Sequence, residues 1–233
     1  MELFFKISLF LHVIAGSIAL FTGTMNIMRK KGTKQHRLVG KFFFFGMIIN
    51  AAAGFIMSIL HQNLFLLIIA VFSFYMTATG ERFLSLKRIN YGQEAKRIDW
   101  ILTFIMILFS AFFIIYGLYL QINDNNIGTV LLVFGLISIL MARKDIKIYQ
   151  GNITTKKYWL LIHIQRMIGA YIAALTAFLV VNNTYLPSLV AWLLPTVILT
   201  PLIFYWSKIY SNKQFSRHQR ISSKLNSDLK PPS

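Results

Sequence analysis

Long runs of apolar residues, broken by short polar segments, follow one another along the chain to about residue 206. A helix crosses the hydrocarbon core of a bilayer with about 20 apolar residues. On that measure the pattern predicts seven transmembrane helices, at residues 5–28, 38–60, 64–85, 99–121, 127–142, 159–182 and 187–206. The fifth is short, which predicts either a helix with little tilt or a break near Gly135. The predicted fold class is an all-α integral membrane protein.

The seventh span differs from the others because prolines interrupt it. Pro195 and Pro201 lie inside it, and an interior proline removes a backbone donor and kinks a helix. Beyond this span the chain is polar and basic and ends in Pro-Pro-Ser. Such a segment cannot bury enough apolar surface to fold. We therefore predict a transmembrane domain at 1–206 and a largely disordered tail at 207–233.

The composition agrees with lipid as the solvent of most of this chain. Hydrophobic residues make up 56% of the 233 residues and charged residues only 13%, which leaves too little polar surface for a soluble domain. Cysteine is absent. Its absence excludes disulfides, thiolate metal sites, iron–sulfur clusters and cysteine nucleophiles.

The formal net charge of +17 would suggest a nucleic-acid partner in a soluble protein, but its location decides otherwise. All 24 lysines and arginines except Lys6 and Arg166 lie in alternate connections or in the tail. The basic segments are 29–41, 82–97, 143–157 and the residues after 206, whereas 61–63, 122–126 and 183–186 have none. The positive-inside rule then predicts an outside N-terminus and a cytoplasmic C-terminus in a prokaryotic cytoplasmic membrane. The predicted partners are the bilayer and its anionic head groups at the cytoplasmic face, with no nucleic acid.

Arg166 is the one basic residue placed deep inside a predicted span. At 1.5 Å per residue, it lies about 10 Å and His163 about 6 Å from the cytoplasmic start of the sixth span. The two are three residues apart and share a helix face. Glu81 and Asp99 are the acids nearest that depth, so we predict that Arg166 pairs with one or both of them. The alternative is an Arg166 side chain that reaches the inner head groups.

A polar group at this depth either binds a ligand or locks helices together. Ionisable residues inside a membrane are rare and are usually functional. The candidate ligand-binding residues are Glu81, Asp99, His163 and Arg166, with His36 and Arg37 of the basic segment before the second span.

Four histidines raise the alternative of a b-type haem protein. His12 and His61 are predicted near the outer face, and His36 and His163 near the inner face. A bis-histidine haem needs both ligands at one level on facing helices, whereas His36 and His61 fall outside the predicted spans. The haem hypothesis therefore keeps His12 and His163 as ligands, with partners among His36 and His61. No third ligand stands at a matching depth, so no metal site is predicted.

Several segments resemble a bacterial family of predicted multi-helix membrane proteins known only as a domain of unknown function. They are LHVIAGSIALFTG (11–23), KKGTKQHRLVGKFFFFGM (30–47), FSFYMTATGERF (72–83), HIQRMIGAYIAALTAFLVVN (163–182) and WLLPT (192–196). The resemblance implies a helical membrane fold and marks as motif positions His12, His36, Arg37, Gly40, His163 and Arg166. This chain departs from the family pattern at Glu81, where an aromatic residue is expected. The family supplies no activity.

Three hypotheses for function follow. The first is a membrane protein whose inner-leaflet polar site binds or moves a small solute or a proton. The second is a b-type haem electron carrier. The third is a non-catalytic scaffold or accessory subunit, in which small-residue stripes such as Gly16, Ala19 and Gly23 form helix interfaces or a helix-mediated oligomer.

Overall fold

The computed structural model of the protein describes residues 1–153, 155 and 157–228, with the backbone alone at residues 90, 188, 189 and 211–228. This described part is all-helical, and seven of its helices are long and apolar enough to cross a membrane. They are α1 (Glu2–Met28), α2 (Lys34–Leu60), α3 (Leu64–Arg82), α4 (Arg97–Ile122), α5 (Ile127–Tyr149), α6 (Tyr158–Asn182) and α7 (Ser188–Asp228). Two short 3-10 helices, Phe83–Ser85 and Ile89–Tyr91, connect α3 to α4. The prediction of seven helices of membrane-spanning length is confirmed.

Helix is the conformation expected here, because in lipid every backbone polar group must be bonded within its own segment. Side chains fix where two of the helices begin. The Thr33 hydroxyl accepts a hydrogen bond from the backbone N–H of His36 at 3.1 Å and caps α2. The Asn63 side chain accepts one from the N–H of Leu66 at 3.0 Å and caps α3.

The fifth helix is longer than predicted, and the suggested break near Gly135 is wrong. α5 is continuous to Tyr149. Gly135 serves packing, because a Cβ at this position would lie 3.2 Å from Phe113 Cβ on α4. Arg143, Lys144 and Lys147, which we assign to a loop, lie on the exposed side of the last turns of α5, whereas Asp145 and Tyr149 on the other side are buried.

α3 is the central helix, because it packs against α2, α4, α5 and α6. Its residues from Ile68 to Gly80 are buried, except Phe74. α1 packs on α2 and α6, and α7 packs on α6. We call the end of the bundle that carries the connections 29–33, 83–96 and 150–157 the basic end.

α7 is continuous through Pro195 and Pro201 and extends to Asp228. Residues 229–233 lie outside the described part of the chain. No side-chain contacts are described beyond Tyr210, so the largely disordered tail at 207–233 stays a prediction, as does the orientation of the bundle across the membrane.

Candidate functional site

Arg166 is held by a carboxylate that comes from the fifth helix. Its Nη2 atom lies 2.7 Å from Oδ1 of Asp145, and the two side chains are 5% and 0% exposed. An uncompensated charge in hydrocarbon is costly, and a buried partner with good geometry offsets that cost. The pair explains how α6 carries an arginine in its buried face.

Two residues of α3 complete this group. The Tyr75 hydroxyl donates to the other carboxylate oxygen of Asp145 at 2.6 Å, and Arg166 Nη1 donates to the Thr79 hydroxyl. The guanidinium carbon lies 4.9 Å from the centroid of the Tyr75 ring, within range of a cation–π contact. We call Tyr75, Thr79, Asp145 and Arg166 the Arg166 cluster, and it joins α3, α5 and α6.

Aromatic rings separate the cluster from the basic end. The Phe83 ring lies 5.7 Å from the Arg166 guanidinium carbon and stacks on Tyr149 with 6.1 Å between centroids. Tyr149 in turn meets Trp100 edge-on at 5.3 Å. These rings lower the local dielectric, which strengthens the attraction between Asp145 and Arg166.

Within the cluster, Asp145 is the group that can take up a proton, since a carboxylate is deprotonated at neutral pH whereas arginine, tyrosine and threonine already hold their protons. Protonation would neutralise the carboxylate and leave the Arg166 charge uncompensated in a buried site. The packing of α3, α5 and α6 is therefore coupled to the proton occupancy of one side chain.

The prediction that Arg166 pairs with Glu81 or Asp99 is wrong. Asp99 is fully buried, but Arg82 binds both of its carboxylate oxygens, at 2.7 and 2.9 Å. The backbone N–H of Lys96 also donates to Asp99, at 2.8 Å, so this carboxylate is saturated at the start of α4. Glu81 is exposed. The alternative of an Arg166 that reaches the head groups is wrong as well, because the residue is buried.

His163 and Arg166 both pack against one glycine of α3. His163 Nδ1 lies 2.8 Å from the carbonyl oxygen of Gly80. A Cβ on Gly80 would lie 3.1 Å from the Cβ of Arg166. The shared face predicted for these two α6 residues is thus the face that meets α3, and His163 stands on the side of the cluster nearer the basic end.

His36 extends this polar region toward the start of α2. It is half-buried and lies within electrostatic range of both Lys31 and His163, and His163 lies within range of Glu81. The Nδ1 atom of His36 is buried and has no hydrogen-bond partner in the described part of the chain. Arg37 is exposed, so the structure brings His36 and His163 together and leaves Arg37 apart.

Lys31 closes the end of α1 beside His36. Its Nζ atom donates to the carbonyls of Asn26, at 2.5 Å, and Ile27, at 2.9 Å, and lies 3.8 Å from the centroid of the Trp206 ring on α7. Burial lowers the pKa of Lys31 to about 8. The lysine therefore ties α1 and α7 together at the basic end.

His12 and His163 cannot ligate one haem. The ring of His12 packs against Gly54, and Gly54 packs against Leu66 near the start of α3. His163 instead binds Gly80 near the end of α3. At 1.5 Å per residue, the two imidazoles stand about 21 Å apart along that helix. These two histidines cannot share one iron, because both ligands must stand at one level, and the haem hypothesis, which gives each of them a partner among His36 and His61, stays a prediction.

The two histidines proposed as partners lie at opposite ends of the bundle. The His61 ring lies against Phe5, with 3.8 Å between centroids, at the end opposite the basic end. His36 shares the basic end with His163. Among the described residues, no group of three or more histidines and acids could hold a metal ion.

A comparison of the chain with protein-family models, with curated proteins and with solved structures gives no match. The function is therefore argued from the side chains themselves. Sequence reasoning misses Asp145, Tyr75 and Thr79. A signal for Asp145 exists in the spacing of Ser138, Ala142, Asp145 and Tyr149, which continues one helix face past the predicted end of the fifth span.

Proposed function

We propose that this chain is a multi-pass protein of a prokaryotic cytoplasmic membrane that binds or moves a proton or a small solute at an inner-leaflet polar site. The site comprises the Arg166 cluster with His163 and His36 beside it. The observation that carries the proposal is the buried pair of Asp145 and Arg166 where α3, α5 and α6 meet. Ionisable groups inside a membrane are costly and usually mark pathways for ions or protons.

The charge distribution supports an orientation with the N-terminus outside and the basic end in the cytoplasm. Exposed Arg37, Arg143 and Lys147 stand at that end. Each basic residue near the surface would attract anionic lipid head groups by about 1 kcal/mol. In this orientation the Arg166 cluster lies in the inner leaflet.

The geometry favours a proton over a larger solute. Both carboxylate oxygens of Asp145 accept hydrogen bonds from protein groups, and both terminal nitrogens of Arg166 donate to protein groups. A solute would have to displace these bonds, whereas a proton needs only a base. The expected resemblance to a family of membrane proteins, with His163 and Arg166 as motif positions, chooses no cargo.

Flux through reconstituted protein tests the proposal. Purified protein is placed in vesicles that contain a pH-sensitive dye, and a potassium gradient with valinomycin sets the membrane potential. We expect acidification faster than in protein-free vesicles. The double variant Asp145→Asn/Arg166→Gln removes both charges together, so it leaves no unpaired charge, and should abolish the excess flux.

Glu81→Gln is the matched control, since it removes an exposed carboxylate of the same region and should leave the flux unchanged. Wild-type vesicles no faster than empty ones would contradict proton movement and favour the scaffold hypothesis, with a helix-mediated oligomer. A wild-type flux that persists in the double variant would contradict the assignment of the site.

A further inference from the structure

Three buried polar atoms at heights between those of His12 and His163 have no hydrogen-bond partner in the described part of the chain. They are Asn50 Oδ1, Ser73 Oγ and Thr77 Oγ1. Ser73 is 3% exposed and Thr77 is 0% exposed. Buried polar groups are nearly always bonded either to protein or to ordered water. At such atoms, ordered water would complete the hydrogen bonding in the interior of the bundle.

Ser73 and Thr77 lie on one face of α3. Residues 66, 73, 77 and 80 are spaced by seven, four and three positions, which places them along one side of a helix. On this side Leu66 meets Gly54 of α2, and Gly80 meets His163 of α6. The two hydroxyls thus stand on the face that connects the surroundings of His12 with those of His163.

Along the bundle axis, Asn50 stands at a height between those of His12 and Ser73. His12 Nδ1 lies 3.0 Å from the backbone carbonyl oxygen of Asn50. Asn50 is one turn nearer the basic end than Gly54, which places it about level with residue 70 of α3. The successive levels from His12 through Asn50, Ser73 and Thr77 to His163 then differ by about 4 to 6 Å. These steps are differences in height along the bundle, and each is short enough for one bridging water where the two groups face the same interior space.

These two hydroxyls differ from three others buried in the bundle. Thr79, Thr103 and Ser110 each donate to the carbonyl oxygen four residues earlier in their own helix, at 2.5, 2.9 and 2.7 Å. That bond is the usual one for serine or threonine inside a helix. Ser73 and Thr77 do not make it, so they are free to bond to water. Ser138 and Thr176 also lack partners in the described residues, but they belong to α5 and α6.

We propose that Ser73 and Thr77, with bridging water, form a proton relay between His12 and His163, in which Asn50 Oδ1 accepts a hydrogen bond from one of the bridging waters and holds it in place. The proposal rests on the proposed function, since it supplies the route by which a proton at the inner site reaches the opposite half of the bundle. Each hydroxyl accepts one hydrogen bond and donates another, so a proton that enters at one end releases an equivalent proton at the other. Each histidine takes up and releases the proton on its Nε2 atom, because Nδ1 faces a backbone carbonyl.

The vesicle assay of proton flux tests the relay with variants that remove hydroxyls. Thr77→Val replaces the hydroxyl by a methyl group of similar volume, and Ser73→Ala removes the other. We expect each to lower the flux by about tenfold, because each removes one hydrogen-bonded step. Thr77→Ser keeps the hydroxyl and should keep the flux. Ser110→Ala is the control, since this buried hydroxyl is occupied by a backbone carbonyl.

The outcomes separate the relay from the proposed function. A wild-type flux that Ser73→Ala/Thr77→Val leaves unchanged would overturn the relay and leave the inner site standing. A wild-type protein without flux would overturn both. Loss of proton flux in Thr77→Val together with retained flux in Thr77→Ser supports the relay even if Ser73→Ala fails to fold. Of these two variants, only Thr77→Ser keeps the hydroxyl.

Discussion

Gly80 of α3 and Arg166 of α6 stand so close that a methyl group on the glycine would lie 3.1 Å from the arginine Cβ. The same glycine offers its carbonyl oxygen to His163. The absence of one side chain thus lets α6 approach α3 closely enough for Arg166 to reach Thr79 and Asp145. Small residues commonly allow such approaches between membrane helices.

Gly80→Ala should push α6 away from α3 and weaken both contacts. We expect a loss of about 1–3 kcal/mol in the free energy of unfolding, the usual cost of overpacking a well-packed interface. Titration with denaturing detergent measures it. Gly169→Ala is the control, since its nearest neighbour would be the flexible Met76 side chain, at 3.0 Å. Equal losses in the two variants would contradict a special role for the approach at Gly80.

Removing one charge of the buried pair should cost more stability than removing both. Asp145→Asn leaves the Arg166 charge without a counter-ion and should cost about 3–5 kcal/mol of stability. Asp145→Asn/Arg166→Gln should lose less than Asp145→Asn alone, because no unpaired charge remains. A double-mutant cycle of unfolding free energies measures the coupling between the two residues. Simple additivity of the two single losses would show that the charges do not interact.

Asp99 serves both as the partner of Arg82 and as the cap of α4. Asp99→Asn keeps an oxygen for the Lys96 N–H but loses the charge that faces Arg82. Asp99→Ala loses both, and loss of a cap alone costs about 1 kcal/mol. We expect stability to fall in the order wild type, Asp99→Asn, Asp99→Ala, as followed by thermal unfolding in detergent. Identical values for the two variants would contradict the capping role.

Lys31 gives the fold a pH dependence above neutrality. Burial lowers its pKa from 10.5 to about 8, so between these values the unfolded chain holds a proton that the folded protein does not. Stability contributed by this group therefore rises as the pH increases from about 8 toward 10.5. Unfolding between pH 8 and pH 10 should show a steeper rise for wild type than for Lys31→Met. A steeper fall instead would mean that the carbonyls of α1 and the Trp206 ring hold the lysine in its charged form.

The helical fold follows from the sequence because membrane spans have one dominant signal. A run of about 20 apolar residues must form a helix in lipid, whatever its neighbours are. Gly135 and the basic residues after Ala142 obscure that signal in the fifth span, since glycine and charge both resemble helix ends. The structure shows that Gly135 allows α4 to pack closely against α5 and that Arg143, Lys144 and Lys147 are exposed.

The partner of Arg166 was not predictable by depth alone. Counting residues ranks acids by level, and Asp99 stands at a suitable level. Counting residues does not reveal that Arg82 binds the Asp99 carboxylate, which is then not available to Arg166. It also omits Asp145, because the fifth span is predicted to end at residue 142. The same reasoning cannot identify Tyr75 and Thr79, since their roles depend on which side of α3 meets α5 and α6.

The order of the helices along the chain bears on how the bundle is made. α3 and α5, with Tyr75 and Asp145, leave the ribosome before α6, so the acid is already in place when the segment that carries Arg166 enters the bilayer. An arginine near the middle of a nascent segment disfavours its insertion. A counter-ion already present in the membrane would favour the insertion of α6, and a chain from which α5 is deleted would leave Arg166 without that partner.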